Sequence, residues 1–296
     1  MAIIQTKSLT KYYGRNRGVE NLDLKINEGE IFGFLGPNGA GKTTTIRLLL
    51  HLIKPTKGEI FIFGKKLEKN YVEILENIGY LPGNLSLYEK MTGKQLLNFS
   101  KTFYEGFDKK FTKKLIERLN CDVERPFKNL SSGNKQKIGI LLALFHKPKI
   151  LILDEPTIGL DPLIQNEFYK ILSEIKKEGT TIFFSSHNLP EVEKICDRIG
   201  IIKEGRLIEV ETIEEIRSHR KKEVEIYFKE KYQKEKFLRI KDVELIDAQD
   251  YYLHLLLPST SINQLLVLLK KYNIKDINFS YPDLEEIFLK YYEKEK

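Results

Sequence analysis

Sulfur and tryptophan are scarce: the 296 residues hold two cysteines, two methionines and no tryptophan. Cys121 and Cys196 lie far apart and in no ligand-like spacing. Neither a disulfide framework nor a thiolate metal centre is therefore expected, and the two read as reduced, mostly buried thiols. Long apolar runs are missing as well. The longest, 138–145 and 150–153, are separated by Lys147-Pro148-Lys149 and fall far short of the ~20 residues that a bilayer helix needs. The opening MAIIQTKSLTKYYG has no extended apolar segment of the kind a secretory leader carries. The expectation is a chain that does not itself cross a membrane and is soluble when isolated.

Charge of one sign is not concentrated either. The net charge is +7, but acids interrupt the basic clusters, as in Lys229-Glu230-Lys231. A specific nucleic-acid surface is not expected from that pattern, although a weak preference for anionic lipid headgroups fits it. The apolar fraction of 41% is enough for packed cores. The length has room for one domain of about 200 residues and a smaller second one.

Along the chain, short alternating runs up to about Phe34 read as strands, and a helical pattern begins at Gly41. Residues 88–145 are largely helical, with apolar positions three and four apart. An unbroken apolar run, 150–153, then reads as a strand buried on both faces. It is followed by a helix (165–177), a strand (181–185) and a helix (191–196). Such alternation implies a mostly parallel sheet covered by helices. Charge density rises between about 212 and 222. Beyond it the order is strand (224–228), helix (231–238), strands (243–246 and 251–257), helix (262–272), strand (277–281) and helix (284–292). That is βαββαβ with an added helix, the ferredoxin-like arrangement.

Gly36-Pro37-Asn38-Gly39-Ala40-Gly41-Lys42-Thr43, followed by Thr44, fits GxxxxGK[ST] between a predicted strand and a predicted helix. Glycines let successive backbone N–H groups point at phosphate oxygens, and the helix N-terminus adds partial positive charge. Lys42 is suited to neutralise β- and γ-phosphates, and the Thr43 hydroxyl to bind Mg²⁺. The strand ending Leu153-Asp154-Glu155 delivers two acids where ligands sit in open α/β sheets. Asp154 is expected on Mg²⁺, and Glu155 on the water that attacks the γ-phosphate.

Leu130-Ser131-Ser132-Gly133-Asn134-Lys135-Gln136 opens the helix that runs to Phe145. Alone it is an ordinary helix cap; between the cradle and the acid pair it resembles the LSGGQ signature of ABC ATPases. The resemblance covers about residues 3–215 and implies the P-loop NTPase fold of that family: a mostly parallel core, an antiparallel β subdomain and a helical subdomain at about 88–145. The expected domains are an ATPase domain, 1–215, and a small α+β ferredoxin-like domain, 222–296.

It further implies that ATP is held between two copies, or between this chain and a paralogous ATPase. Ser131 and Gly133 of one would grip the γ-phosphate bound by the other. Gly159-Leu160-Asp161-Pro162 resembles the loop that joins the two sites, which brings Asp161 to the nucleotide. His187 resembles the switch histidine beside the γ-phosphate. Tyr13 resembles the aromatic on which adenine stacks, with Tyr12 as the rival, since strand alternation puts only one of them on the nucleotide side.

Two features depart from the family pattern. Gly83 stands where a metal-binding Gln is usual, so Asn84 or a water takes that place or one metal contact is lost. Ser132 and Asn134 replace commoner residues of the signature. The segment Tyr281-Pro282-Asp283-Leu284-Glu285-Glu286-Ile287-Phe288 resembles the tail of subunits that serve ABC-2 type exporters. Together these resemblances imply an ATP- and Mg²⁺-dependent subunit at the cytoplasmic side of the membrane, driving export through a separate integral permease. An ABC ATPase acting on ribosomes or DNA is the alternative. Neither a second cassette nor a long coiled coil, the marks of those types, is seen. The C-terminal domain reads as a dimer-stabilising or a ligand-sensing module.

Overall fold

The computed structural model describes residues 1–104, 107–219 and 221–280. The chain forms two compact units, Met1–Glu211 and a second that begins at Thr212.

In the first unit, alternating apolar residues build an antiparallel sheet. Strand β1 (Ala2–Tyr13) pairs with β2 (Asn16–Leu22), β3 (Lys25–Asn27) and β5 (Lys57–Ile62), and β6 (Lys65–Lys66) adds to β5. Ile4, Leu9, Val19, Leu22, Ile60 and Ile62 are buried in one apolar cluster with Phe32, Phe34, Ile46 and Phe183. This shared core fixes the antiparallel sheet against the central one.

The central sheet comprises β4 (Ile31–Leu35), β7 (Ile78–Leu81), β8 (Ile150–Asp154), β9 (Thr181–Ser186), β10 (Arg198–Lys203) and β11 (Arg206–Thr212), in the order β11-β10-β4-β9-β8-β7. From β10 to β7 every pair is parallel. All residues of β4, β8 and β9 are buried, as expected of strands covered on both faces. The register sets Leu35 beside Ser186 and Asp154 beside Ser185. Three strands therefore end together at the carboxyl edge of the sheet, where open α/β sheets receive ligands.

Helix α1 (Lys42–Leu49) follows β4; α2 (Leu67–Leu75) precedes β7; α3 (Gly93–Ser100), α4 (Lys109–Arg118) and α5 (Ser132–Leu144) form the helical region; α6 (Pro162–Lys177) and α7 (Leu189–Ile195) flank β9. Several starts are explained by capping. Thr92 and Gln95 form a reciprocal box, and Asp108, Ser131 and Asp161 each accept a first-turn N–H. Arg118 bonds Glu167 and Glu174, which ties α4 to α6.

The second unit runs α8 (Ile213–His219), β12 (Lys221–Phe228), α9 (Lys234–Phe237), β13 (Glu244–Gln249), β14 (Tyr252–Pro258), α10 (Ile262–Leu269) and β15 (Ile274–Ser280). Its strands lie in the order β13-β14-β12-β15, all antiparallel. This is the ferredoxin-like sheet, with Val224, Ile226, Leu253, Leu255 and Phe237 in its core.

Three helices differ from the sequence reading. Helix α8 falls where only a rise in charge was expected, and the helix expected at 231–238 is a single turn, α9. The short α2 has no counterpart in that reading, although Leu67, Tyr71, Ile74 and Leu75 fall at helical stripe spacing; Asn70 breaks its helical geometry, and only Leu67 and Ile74 are buried. The helix expected at 284–292 and the tail motif lie outside the described residues.

Candidate active site

The turn from β4 into α1 needs a left-handed residue just before the helix, and Gly41 supplies it with φ 110°. No side chain caps α1, so its first N–H groups remain available toward the cleft. Lys42, almost fully buried, bends back over the loop. Its Nζ donates to Gly36 O (2.6 Å) and Pro37 O (3.2 Å) and stands 3.3 Å from Glu155 Oε1. Ala40 N–H closes the turn onto Pro37 O at 3.2 Å.

The strand ends bring the oxygen donors together. Asp154, buried, accepts from Thr43 Oγ1 through Oδ2 and from Ser185 Oγ through Oδ1, both at 3.0 Å. Glu155 has φ 49°, a turn conformation uncommon for a side chain of its kind, and its N–H donates to Ser185 O (3.1 Å). Its Oε2 lies 2.8 Å from His187 Nδ1. Its buried Oε1 has no hydrogen-bond partner among the described residues and faces only the Lys42 charge.

Gly41, Lys42, Thr43, Asp154 and Glu155 line a cleft of about 540 Å³ that also holds Tyr13, Asn38, Gly39, Thr44, Tyr80 and Asn84, whereas Gly36, Pro37, Ala40 and His187 are not among its lining residues. The two tyrosines differ in their surroundings. Tyr12 donates its hydroxyl to Glu20 Oε1 at 2.6 Å, whereas the half-exposed ring of Tyr13 forms the cleft wall. Gly83 sits against Asp154: a Cβ there would stand 3.3 Å from its carbonyl oxygen and 3.5 Å from Oδ2. Asn84 lines the cleft without a hydrogen bond to Asp154 among the described residues.

Ser131, Gly133 and Asp161 are not in that cleft. They line a second concavity of about 460 Å³ with Asp122, Arg125 and Lys137. There Ser131 Oγ accepts from Asn134 N–H (3.3 Å), and Asp161 caps α6 through Leu163 and Ile164. Asn134 is bonded through its amide to both N and O of Asp122. The two concavities have no lining residue in common.

Sequence reasoning missed Arg17, Arg47 and Tyr80 in the cleft wall. Arg47 carried a usable signal, since it falls four residues after Thr43 on α1 and so shares its face. Tyr80 carried none. Burial, then the nearby Asp154 charge, pushes its hydroxyl up to about 12.

A glycine-rich turn, a buried lysine and a strand-end acid pair on a parallel sheet define a P-loop nucleotide-binding protein. Comparison with known proteins makes the assignment narrower. The profile of the ABC transporter family matches residues 19–158. The ABC transporter ATP-binding protein YcbN of Bacillus subtilis, itself uncharacterised, is 35% identical over 97% of this chain and 96% of its own. The bacitracin transport ATP-binding protein BcrA of Bacillus licheniformis is 42% identical over 75% of this chain and 74% of its own. A solved ATP-binding subunit of an ABC transporter superposes with a TM-score of 0.67 at 29% identity, over 73% of this chain and 92% of that one. The chain belongs to the ATP-binding proteins of ABC transporters, a family of ATPases.

Proposed function

We propose that this chain hydrolyses ATP to drive export through a separate integral membrane permease of the ABC-2 type, at the cytoplasmic side of the membrane. Two copies, or one copy and a paralogous ATPase, close on two ATP molecules and reopen after hydrolysis. The observation that carries this reading is the separation of the half-sites. Lys42, Thr43, Asp154 and Glu155 line one cleft, with His187 bonded to Glu155, while Ser131, Gly133 and Asp161 line another. A second copy is what could supply the missing half. The direction of transport is supported by the likeness to BcrA and by the tail motif. No helix among the described residues is long and apolar enough to cross a membrane, in keeping with a separate permease.

In the cleft, the free N–H groups of α1 and the Lys42 ammonium would bind the β- and γ-phosphates, with Asn38, Gly39 and Thr44 along the same wall. Tyr13 would carry the adenine. Thr43 Oγ1 and the Asp154 carboxylate are hard oxygen donors 3.0 Å apart, which fits Mg²⁺. When bound there, the ion would offset the negative charge on the phosphate oxygens. Glu155 is placed to take a proton from water as its oxygen bonds the γ-phosphorus. The bond from that phosphorus to the β–γ bridging oxygen breaks, and ADP leaves with the electron pair. His187 holds the other carboxylate oxygen and orients it.

Glu155→Gln keeps the shape and removes the base. Its ATP affinity should stay within about threefold of wild type while turnover falls by about 10²–10⁴-fold. Turnover at the wild-type rate would remove Glu155 from this role.

A further inference from the structure

We propose that Gly18 is a positioning residue that sets where the Tyr13 ring stands relative to the phosphate cradle. The inference rests on reading Tyr13 as the surface for the base. Strands β1 and β2 pair Lys11 with Val19 and Tyr12 with Arg17, so Gly18 is the extra residue of a bulge. Bulges of this kind re-aim neighbouring side chains. A Cβ on Gly18 would meet Tyr13 Cε2 at 2.9 Å, Thr44 Cγ2 at 3.0 Å and Lys11 O at 3.1 Å. The backbone there is not left-handed, so alanine would bring a methyl group and no backbone strain.

The far side of Gly18 is fixed. Its carbonyl oxygen lies 2.7 Å from where a Cβ of Gly41 would be and 2.8 Å from that of Gly205. Gly205 in turn donates its N–H to Ala40 O (2.8 Å) and accepts from Glu20 N–H (2.7 Å). The strand around Gly18 is thus clamped to the cradle on one side and to the β10–β11 turn on the other. The Tyr13 ring is the group with room to yield: it is 44% exposed, with Lys11 Nζ 5.4 Å from its centre. A methyl group at residue 18 displaces the ring most, while Thr44 Cγ2 and Lys11 O need give by only a few tenths of an ångström.

The test is a comparison of two ligands, ATP and inorganic tripolyphosphate, both with Mg²⁺, titrated calorimetrically into wild type, Gly18→Ala, Tyr13→Ala and the double variant. Gly18→Ala should weaken ATP about tenfold and tripolyphosphate less than twofold, and the double variant should bind ATP no worse than Tyr13→Ala alone. The inference is overturned if Tyr13→Ala shows this split and Gly18→Ala either keeps its ATP affinity or loses both ligands equally. If Tyr13→Ala shows no split, the base surface itself is wrong and the inference falls with it. Should Gly18→Ala not fold, Gly18→Ala/Thr44→Ser removes the second contact but keeps the one with the ring. Measured against Thr44→Ser, it should show the same split.

Discussion

At the scale of single residues, the pair formed by Lys42 and Glu155 holds the cleft together before any nucleotide arrives. Both side chains are largely buried, and 3.3 Å separates Nζ from Oε1. Removing one charge leaves the other desolvated, which typically costs more than the pair contributes. Lys42→Ala should weaken ATP binding by about 10–100-fold, the loss expected for hydrogen bonds to a charged group. It should also lower the melting temperature of the nucleotide-free protein. Adding Glu155→Gln to it should recover part of that temperature, as calorimetry would record; no recovery would mean that the pair is not coupled. These residues were legible because the cradle is local, with every member within one short spacing, and because a strand end fixes where two consecutive acids go. The tyrosines were not. Strict alternation along a strand cannot choose between Tyr12 and Tyr13 when a bulge at Gly18 shifts the register beside them.

Among elements, α5 links the two concavities of one chain. Its first turn lies against the loop that leads to α6: a Cβ on Gly133 would stand 2.6 Å from Gly159 O. A turn later, Gln136 Nε2 donates to Pro156 O at 2.9 Å, one residue beyond Glu155. The start of α5 and the residues around Glu155 are therefore joined through a few rigid contacts. Gly133→Ala must push the two loops apart, so ATPase turnover should fall at least tenfold while a single copy keeps its affinity for ATP; an unchanged rate would show that this contact carries nothing. The position of the signature helix was readable from Ser131 at its cap and the apolar residues behind it. Its packing on Gly159 was not, since only tertiary contact shows that residue 133 has no room for a side chain. Helix α2 was overlooked although Leu67, Tyr71, Ile74 and Leu75 carry helical spacing; its run is short and Asn70 interrupts it.

On the scale of the whole molecule, stability should depend on acid through His146. Its half-buried ring stacks on Tyr104, with centroids 4.0 Å apart. Burial outweighs the opposing pull of the Ile78 backbone and holds its pKa down to about 4 from an ordinary 6.5. The unfolded chain then binds the extra proton first as pH falls. This contribution is unchanged above about pH 6.5, declines by up to about 1.4 kcal/mol per pH unit toward pH 4, and levels off below. His146→Phe should flatten the melting temperature over that window; an unchanged slope would place the titration elsewhere. The division into a nucleotide unit and a ferredoxin-like unit was legible because the first is read from motifs and the second from the order of its strands. The second unit begins at Thr212, ahead of the bounds of 215 and 222 expected from the sequence.

The proposed function requires a second copy, and sedimentation of the Glu155→Gln protein with Mg²⁺ and saturating ATP tests it most directly. The mass should double when ATP is present, and Ser131→Arg introduced into the same chain should abolish the doubling while ATP still binds. A protein that remains single with its cleft filled, or pairs equally well with Arg at residue 131, would contradict the shared site.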